Sequence, residues 1–275
     1  MSKANKERLD VINEIVEEYQ ADGYVLTLRQ LYYQLVSRDV IPNKQTEYSK
    51  LITLLKEGRM AGIVDWEAIE DRLRKPSSPS AFESPKDIIN AAINQYRKDR
   101  QEGQPVYLEV WVEKDALSGV LSRVTKVFGV PIMVNRGYSS ASAMFDSYER
   151  FMEALEAGKT CKILYLGDFD PSGLDMIRDI KERTEEFIKG SDRATALYYE
   201  EEANDTEEYE SHYYDIVRNQ GLDSDFAVEM CENLFRENLC KRFEVIPIAL
   251  TREQITQYDP PPNPAKITDP RAKDF

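Results

Sequence analysis

The stretch that most limits what this chain can fold into is CKILYLGDFDPSG, residues 161–173. Residues 162–166 have strand character and run into Gly167. Asp168 and Asp170 then flank Phe169, and Pro171-Ser172-Gly173 opens a helix. Carboxylates at i and i+2 in a turn that follows a strand are aimed at one point. In an open α/β sheet that point lies outside the carboxyl ends of the strands, where ligands bind. Two converging acids repel each other unless a cation joins them, and an all-oxygen donor set suits Mg²⁺ or Mn²⁺. A bare Asp-x-Asp is more often just an aspartate-capped turn, so the rest of the chain has to decide.

Upstream, residues 106–112 (VYLEVWV) are β-rich and apolar apart from Glu109, which suits a buried parallel strand ending at Glu113. Asp115 caps a helix over ALSGVLSRVTKVF, residues 131–134 are the next strand, and RGYSS (136–140) is a polar turn before a helix over 142–157. After the 161–167 strand come a helix over 172–188, an acidic stretch over 200–225, a helix over 225–241, a strand over 243–250 and a short helix to about residue 258. Alternation of this kind predicts an α/β domain with a parallel sheet and helices on both faces. Glu113 ends the first strand and the aspartate pair ends the third, so three carboxylates share one edge. Lys114 and Arg136 stand next to that edge as candidate phosphate contacts.

The first 75 residues read differently. Apolar periodicity predicts a helix over 3–21, a second over LRQLYYQLVSR capped by Thr27, and a third from Thr46 with Leu51, Leu54 and Leu55 inward. Lys50, Lys56 and Arg59 lie on or near the outer side of the third helix as candidate DNA contacts. Ile63-Val64 and DWEAIEDRLR could supply a wing and a closing helix, which gives the pattern of a winged helix-turn-helix. A small helical bundle that touches no DNA fits the pattern about as well. On the second helix Leu28, Leu31, Tyr32 and Leu35 form the inward stripe. Tyr33 falls off that stripe and lies four residues from Arg29, on the accessible face. Tyr33 is therefore a phenol presented beside a guanidinium, an arrangement that favours phenolate and can hold phosphate. An exposed tyrosine usually has no such role.

Residues 75–85 (KPSSPSAFESP) are a linker by composition, and Ser84-Pro85 starts a helix to about residue 100. The expected organisation is thus a winged helix over 1–75, a linker and connecting helix over 76–105, an α/β domain over 106–258 and a Pro-rich tail over 259–275. The polar N-terminus is no signal peptide, and no apolar run reaches the roughly 20 residues of a membrane span. Three cysteines without ligand spacing point to reduced thiols and a cytoplasmic setting. His212 alone makes zinc chemistry and a histidine triad improbable. A net charge of −14 argues at first against nucleic acid. Residues 1–159 are close to balance, however, and the excess concentrates between Glu200 and Glu232, where Arg218 is the single base. The first half could face phosphates while the acidic segment points elsewhere or mimics a polyanion.

Glu113-Lys114 after one strand and Asp168-x-Asp170-Pro171-x-Gly173 after another resemble a Toprim domain. RQLYY on a helix-turn-helix placed before it resembles the A subunit of DNA topoisomerase VI and its meiotic double-strand-break relatives. The resemblance runs from about residue 5 to residue 250. It implies that Tyr33 attacks DNA with Arg29 assisting, that Glu113, Asp168 and Asp170 hold Mg²⁺ or Mn²⁺, and that a 5′-phosphotyrosyl link forms. It also implies double-stranded DNA as substrate and a nucleoid-associated homodimer in which Tyr33 of one protomer works with the acids of the other. Strand passage would need an ATPase partner subunit that nothing in this chain resembles, so a small standalone relative is the more modest reading. Ser172 stands where other Toprim enzymes carry a third acid, as in the topoisomerase VI group. Two alternatives compete. One is a hydrolytic Toprim nuclease in which Tyr33 is incidental; the other is a non-catalytic DNA-binding or DNA-mimicking regulator working through the acidic segment.

Overall fold

The structure is a computed structural model that describes residues 2–70, 81–135, 137–204, 211 and 224–260. The chain divides into two compact units, the first reaching Lys98 and the second running from Asp99 to Asp259. That boundary falls inside the stretch expected to connect them. The acidic residues 205–210 and 212–223, with His212, and the tail from residue 261 lie outside the described residues.

In the first unit, α1 (Lys3–Ala21) begins at Ser2, whose hydroxyl accepts from the Asn5 amide, and buries Leu9, Ile12, Ile15 and Val16. The short strand β1 (Leu26–Thr27) leads into α2 (Leu28–Ser37). Thr27 and Gln30 form a reciprocal cap there: the Gln30 amide donates to the Thr27 hydroxyl at 3.3 Å, and the Thr27 amide to the Gln30 side chain at 2.7 Å. α3 (Gln45–Met60) buries Leu51, Leu54 and Leu55. At Gly58 an added Cβ would stand 3.0 Å from Leu9, so the missing side chain lets α1 close on α3. These three helices agree with the sequence reading.

The segment after α3 does not. A helix was expected to start in DWEAIE, but Trp66–Ala68 forms a 3-10 turn capped by Asp65, and Ile69–Glu70 forms strand β2. The cause is Arg59. Its guanidinium donates to the Trp66 and Ile69 carbonyls at 3.1 and 2.8 Å and lies over the Trp66 ring. Carbonyls that a continuing helix would use internally are taken. β1 and β2 pair in parallel over two residues, Leu26 with Ile69 and Thr27 with Glu70, where the wing of a winged helix would be an antiparallel hairpin. Among the described residues there is no such hairpin, and residues 71–80 lie outside them. The next helix, α4 (Pro85–Gln95), also ends earlier than expected because Tyr96 turns extended.

In the second unit, β3 (Val106–Val112), β4 (Ile132–Val134), β5 (Thr160–Leu166) and β6 (Phe243–Ala249) form one sheet in the order β4-β3-β5-β6. All neighbours are parallel, with Val106 opposite Thr160 and Val112 opposite Leu166. The connections carry α5 (Asp115–Phe128), α6 (Ala141–Glu156), then α7 (Pro171–Lys189), α8 (Asp192–Asn204) and α9 (Ser224–Lys241); α10 (Arg252–Tyr258) follows β6. The α/β, parallel-sheet expectation holds. The chain leaves β3 outward to β4 and then returns past it to β5, so strand order reverses between β3 and β5. In such sheets the crevice at the reversal is where ligands bind.

One face of the sheet packs on α6 and α7 around Trp111, Phe151, Ile163 and Tyr165. α5 packs on β3 and β4 and shares no residue with that cluster; right-handed crossovers place it on the opposite face. Glu109, at 1% exposure, is satisfied within the core by the Tyr107 hydroxyl at 2.9 Å, the Trp111 indole at 2.7 Å and Arg150 at 2.7 Å. Among the described residues no helix is long and apolar enough to cross a membrane.

Candidate functional site

The carboxyl edge of the sheet is held by bonds between strand ends. The Glu113 amide donates to the Leu166 carbonyl at 2.9 Å, the Asn135 amide to Val112 at 2.8 Å, and Leu250 to Gly167 at 2.7 Å. These bring the residues after β3, β4, β5 and β6 to one rim. Glu113 is buried, and its Oε2 accepts the Asp168 backbone amide at 3.1 Å. The Asp168 side chain is half exposed. The Lys114 ammonium sits between the two acids, paired with Glu113 Oε1 and 3.0 Å from Asp168 Oδ2. Burial works against its charge, but the two carboxylates outweigh burial and hold its pKa above the ordinary lysine value.

The glycines of the 161–173 stretch have a steric cause. A Cβ at Gly167 would lie 2.5 Å from the Tyr165 ring and 3.2 Å from Glu113 Oε2. At Gly173 it would lie 2.1 Å from the Asp168 carbonyl oxygen. Only glycine lets the turn pass this close to Glu113 and fold back on itself.

Asp170 caps a helix, the reading a bare Asp-x-Asp favours on sequence alone. It is the N-cap of α7, accepting the Gly173 amide on Oδ1 at 2.7 Å, with Pro171 in the first helical position. Among the described residues no three Asp, Glu, His or Cys side chains converge closely enough to hold a metal ion. The structure therefore brings Glu113 and Asp168 together around Lys114 and gives Asp170 to the helix. All three acids nevertheless act on Tyr165, whose phenol is pushed up first by burial and further by Glu113, Asp168 and Asp170. Beside Asp168 a cleft of about 340 Å³ opens between Phe169, Leu174, Leu250 and Arg252.

Arg136 lies outside the described residues. Its neighbour Asn135 is buried, and its Nδ2 donates no hydrogen bond among the described residues while Oδ1 takes the Ser139 hydroxyl. Sequence reasoning passed over Asn135 and Tyr165. A buried amide closing a strand at the ligand edge is the signal that could have found the first; an aromatic two residues before the glycine could have found the second.

In the first unit, Tyr32 and Tyr33 divide as the helical spacing predicts. Tyr32 is 5% exposed, and its hydroxyl reaches Asn43 Oδ1 and the Lys44 carbonyl at 3.1 and 3.2 Å. Tyr33 is 43% exposed, and Arg29 Nε donates to its oxygen at 3.3 Å. The basic residues of α3 differ among themselves. Lys56 is exposed, Lys50 pairs with Glu47 at 2.6 Å, and Arg59 is committed to the turn over residues 66–69. Arg59 thus braces the turn of this unit, whereas its place on the third helix marks it in the sequence as a candidate DNA contact.

Compared with models of known protein families, with curated proteins and with solved structures, the chain finds no match.

Proposed function

We propose that this protein cleaves double-stranded DNA by tyrosine transesterification, in the manner of the A subunit of DNA topoisomerase VI. The observation that carries the reading is Tyr33, an exposed phenol whose oxygen is held by Arg29 while its neighbour Tyr32 is buried. In the reaction the Tyr33 oxygen attacks a DNA phosphorus. The bond from phosphorus to the 3′ oxygen breaks, the 3′-hydroxyl leaves with a proton, and the 5′ phosphate stays on tyrosine. Arg29 orients the phenol and offers positive charge to the phosphate oxygens.

Glu113 and Asp168 already share one cation, the Lys114 ammonium, so their donor chemistry fits a hard divalent ion. Mg²⁺ or Mn²⁺ held there would supply charge to the pentacovalent phosphorus. Asp170 stands at the same turn and adds negative charge from the cap of α7. Lys114, Arg136, Lys50 and Lys56 are the proposed phosphate contacts. The proposed assembly is a homodimer, with strand passage left to a separate ATPase partner.

The test is a covalent-complex assay on supercoiled plasmid with Mg²⁺, denatured and protease-treated, comparing wild type with Tyr33→Phe. Protein-linked breaks in the wild type and none in the variant are expected. Breaks that persist in Tyr33→Phe with free 5′ ends would replace this reading with a hydrolytic nuclease.

A further inference from the structure

Lys114 is an unusual neighbour for a metal site. Its ammonium contacts both acids proposed to hold the ion, one of them 91% buried at the side chain, and it does so from the residue next to Glu113 in sequence. We infer that Lys114 is the resident cation of the Glu113–Asp168 pair and sets its metal affinity, because a divalent ion can enter only by displacing the ammonium. This inference rests on the proposed metal-dependent reading and adds to it a competitor built into the chain.

The physical grounds are direct. Two carboxylates this close need a positive charge between them, and the ammonium supplies it before any metal arrives. A divalent ion brings twice the charge but must first break two charge-assisted contacts. The side chain can leave without unfolding anything: it is 44% exposed, carries four flexible methylenes, and makes no side-chain cap for α5. Once displaced, it stays tethered beside the ion, where a DNA phosphate would arrive. Lys114 thus exchanges carboxylate partners for a phosphate partner, and metal loading makes the site more receptive to the anionic substrate.

Mn²⁺ alone is the probe, added to the full-length protein and followed by the loss of its free-ion resonance. Lys114→Met should bind Mn²⁺ about tenfold more tightly than wild type, since the competing charge is gone. Lys114→Arg, which keeps a cation there, should not. In the wild type, Mn²⁺ should raise the rate at which limiting acetic anhydride modifies Lys114, read by mass spectrometry; this arm needs no variant to fold. Equal or weaker Mn²⁺ binding by Lys114→Met, or Lys114 acetylation indifferent to Mn²⁺, would overturn the inference while leaving the metal reading standing. Absence of Mn²⁺ binding by both wild type and Lys114→Met would remove the metal reading itself, and this inference with it.

Discussion

The backbone amide of Asp168 donates to the carboxylate of Glu113 across 3.1 Å, and this bond ties the end of β5 to the end of β3. The two residues are far apart in sequence, and neither strand alone would place them together. Parallel pairing in register, Val112 opposite Leu166, delivers both to the same rim.

Gly173→Ala is expected to destabilise the protein by about 2 kcal/mol or more, the upper range for overpacking, because its Cβ would meet a backbone carbonyl that cannot swing aside. Gly167→Ala should cost less, since part of the clash is with a ring edge, yet it should displace Glu113. Urea unfolding of both variants checks the order. A Gly173→Ala protein as stable as wild type would mean that the turn does not fold back on Asp168.

Asp168 and Asp170 should separate cleanly. Asp168→Asn removes a half-exposed charge, so stability should change by less than about 1 kcal/mol while Mn²⁺ binding falls steeply. Asp170→Ala removes an N-cap and should cost about 1 kcal/mol, whereas Asp170→Asn, an equally good cap, should restore stability. Asp170→Asn is expected to weaken Mn²⁺ binding less than Asp168→Asn does. The opposite order would make Asp170 the principal ligand.

The carboxylate edge was legible in the sequence because strand ends are marked by Glu113 and Gly167. At Asp170 the sequence offers two readings, helix cap and ligand, and cannot choose between them, because both use the same side chain at the same spacing; the structure shows the cap. Periodicity correctly separated buried Tyr32 from exposed Tyr33, since a packed helix buries a single stripe. The winged-helix pattern misread residues 66–70, where the Arg59 guanidinium, seven and ten residues back, takes the Trp66 and Ile69 carbonyls. Lys114 as a bridge was beyond pattern reading altogether. Sequence places a lysine beside a glutamate, but only the fold brings Asp168 to its other side.

Tyr33→Phe should leave the fold intact, within about 0.5 kcal/mol, because it removes one exposed hydrogen bond to Arg29. Tyr32→Phe should cost about 1 kcal/mol, since its buried hydroxyl serves Asn43 and the Lys44 carbonyl. The covalent-complex assay should show the reverse pattern, with adducts lost in Tyr33→Phe and kept in Tyr32→Phe. Adducts surviving in the first variant would move the nucleophile elsewhere.

The buried thiols predict how the fold fails in alkali. Burial pushes Cys161, on β5, up to about 12 and Cys240, on α9, up to about 11, from an ordinary value of 9.0. A group whose folded pKa is raised holds its proton longer in the native state than in the unfolded chain. Its stabilising effect is complete below pH 9 and drains away as pH rises toward 11 and 12. The Tyr107 and Tyr165 phenols, raised mainly by burial, act in the same direction. Urea midpoints should therefore fall progressively above pH 9. Cys161→Ala isolates one contribution: it loses some packing at pH 8, but its deficit against wild type should shrink or reverse by pH 11. A gap between the two proteins that stays constant from pH 8 to pH 11 would show that the Cys161 thiol ionises as freely in the folded protein as in the unfolded one.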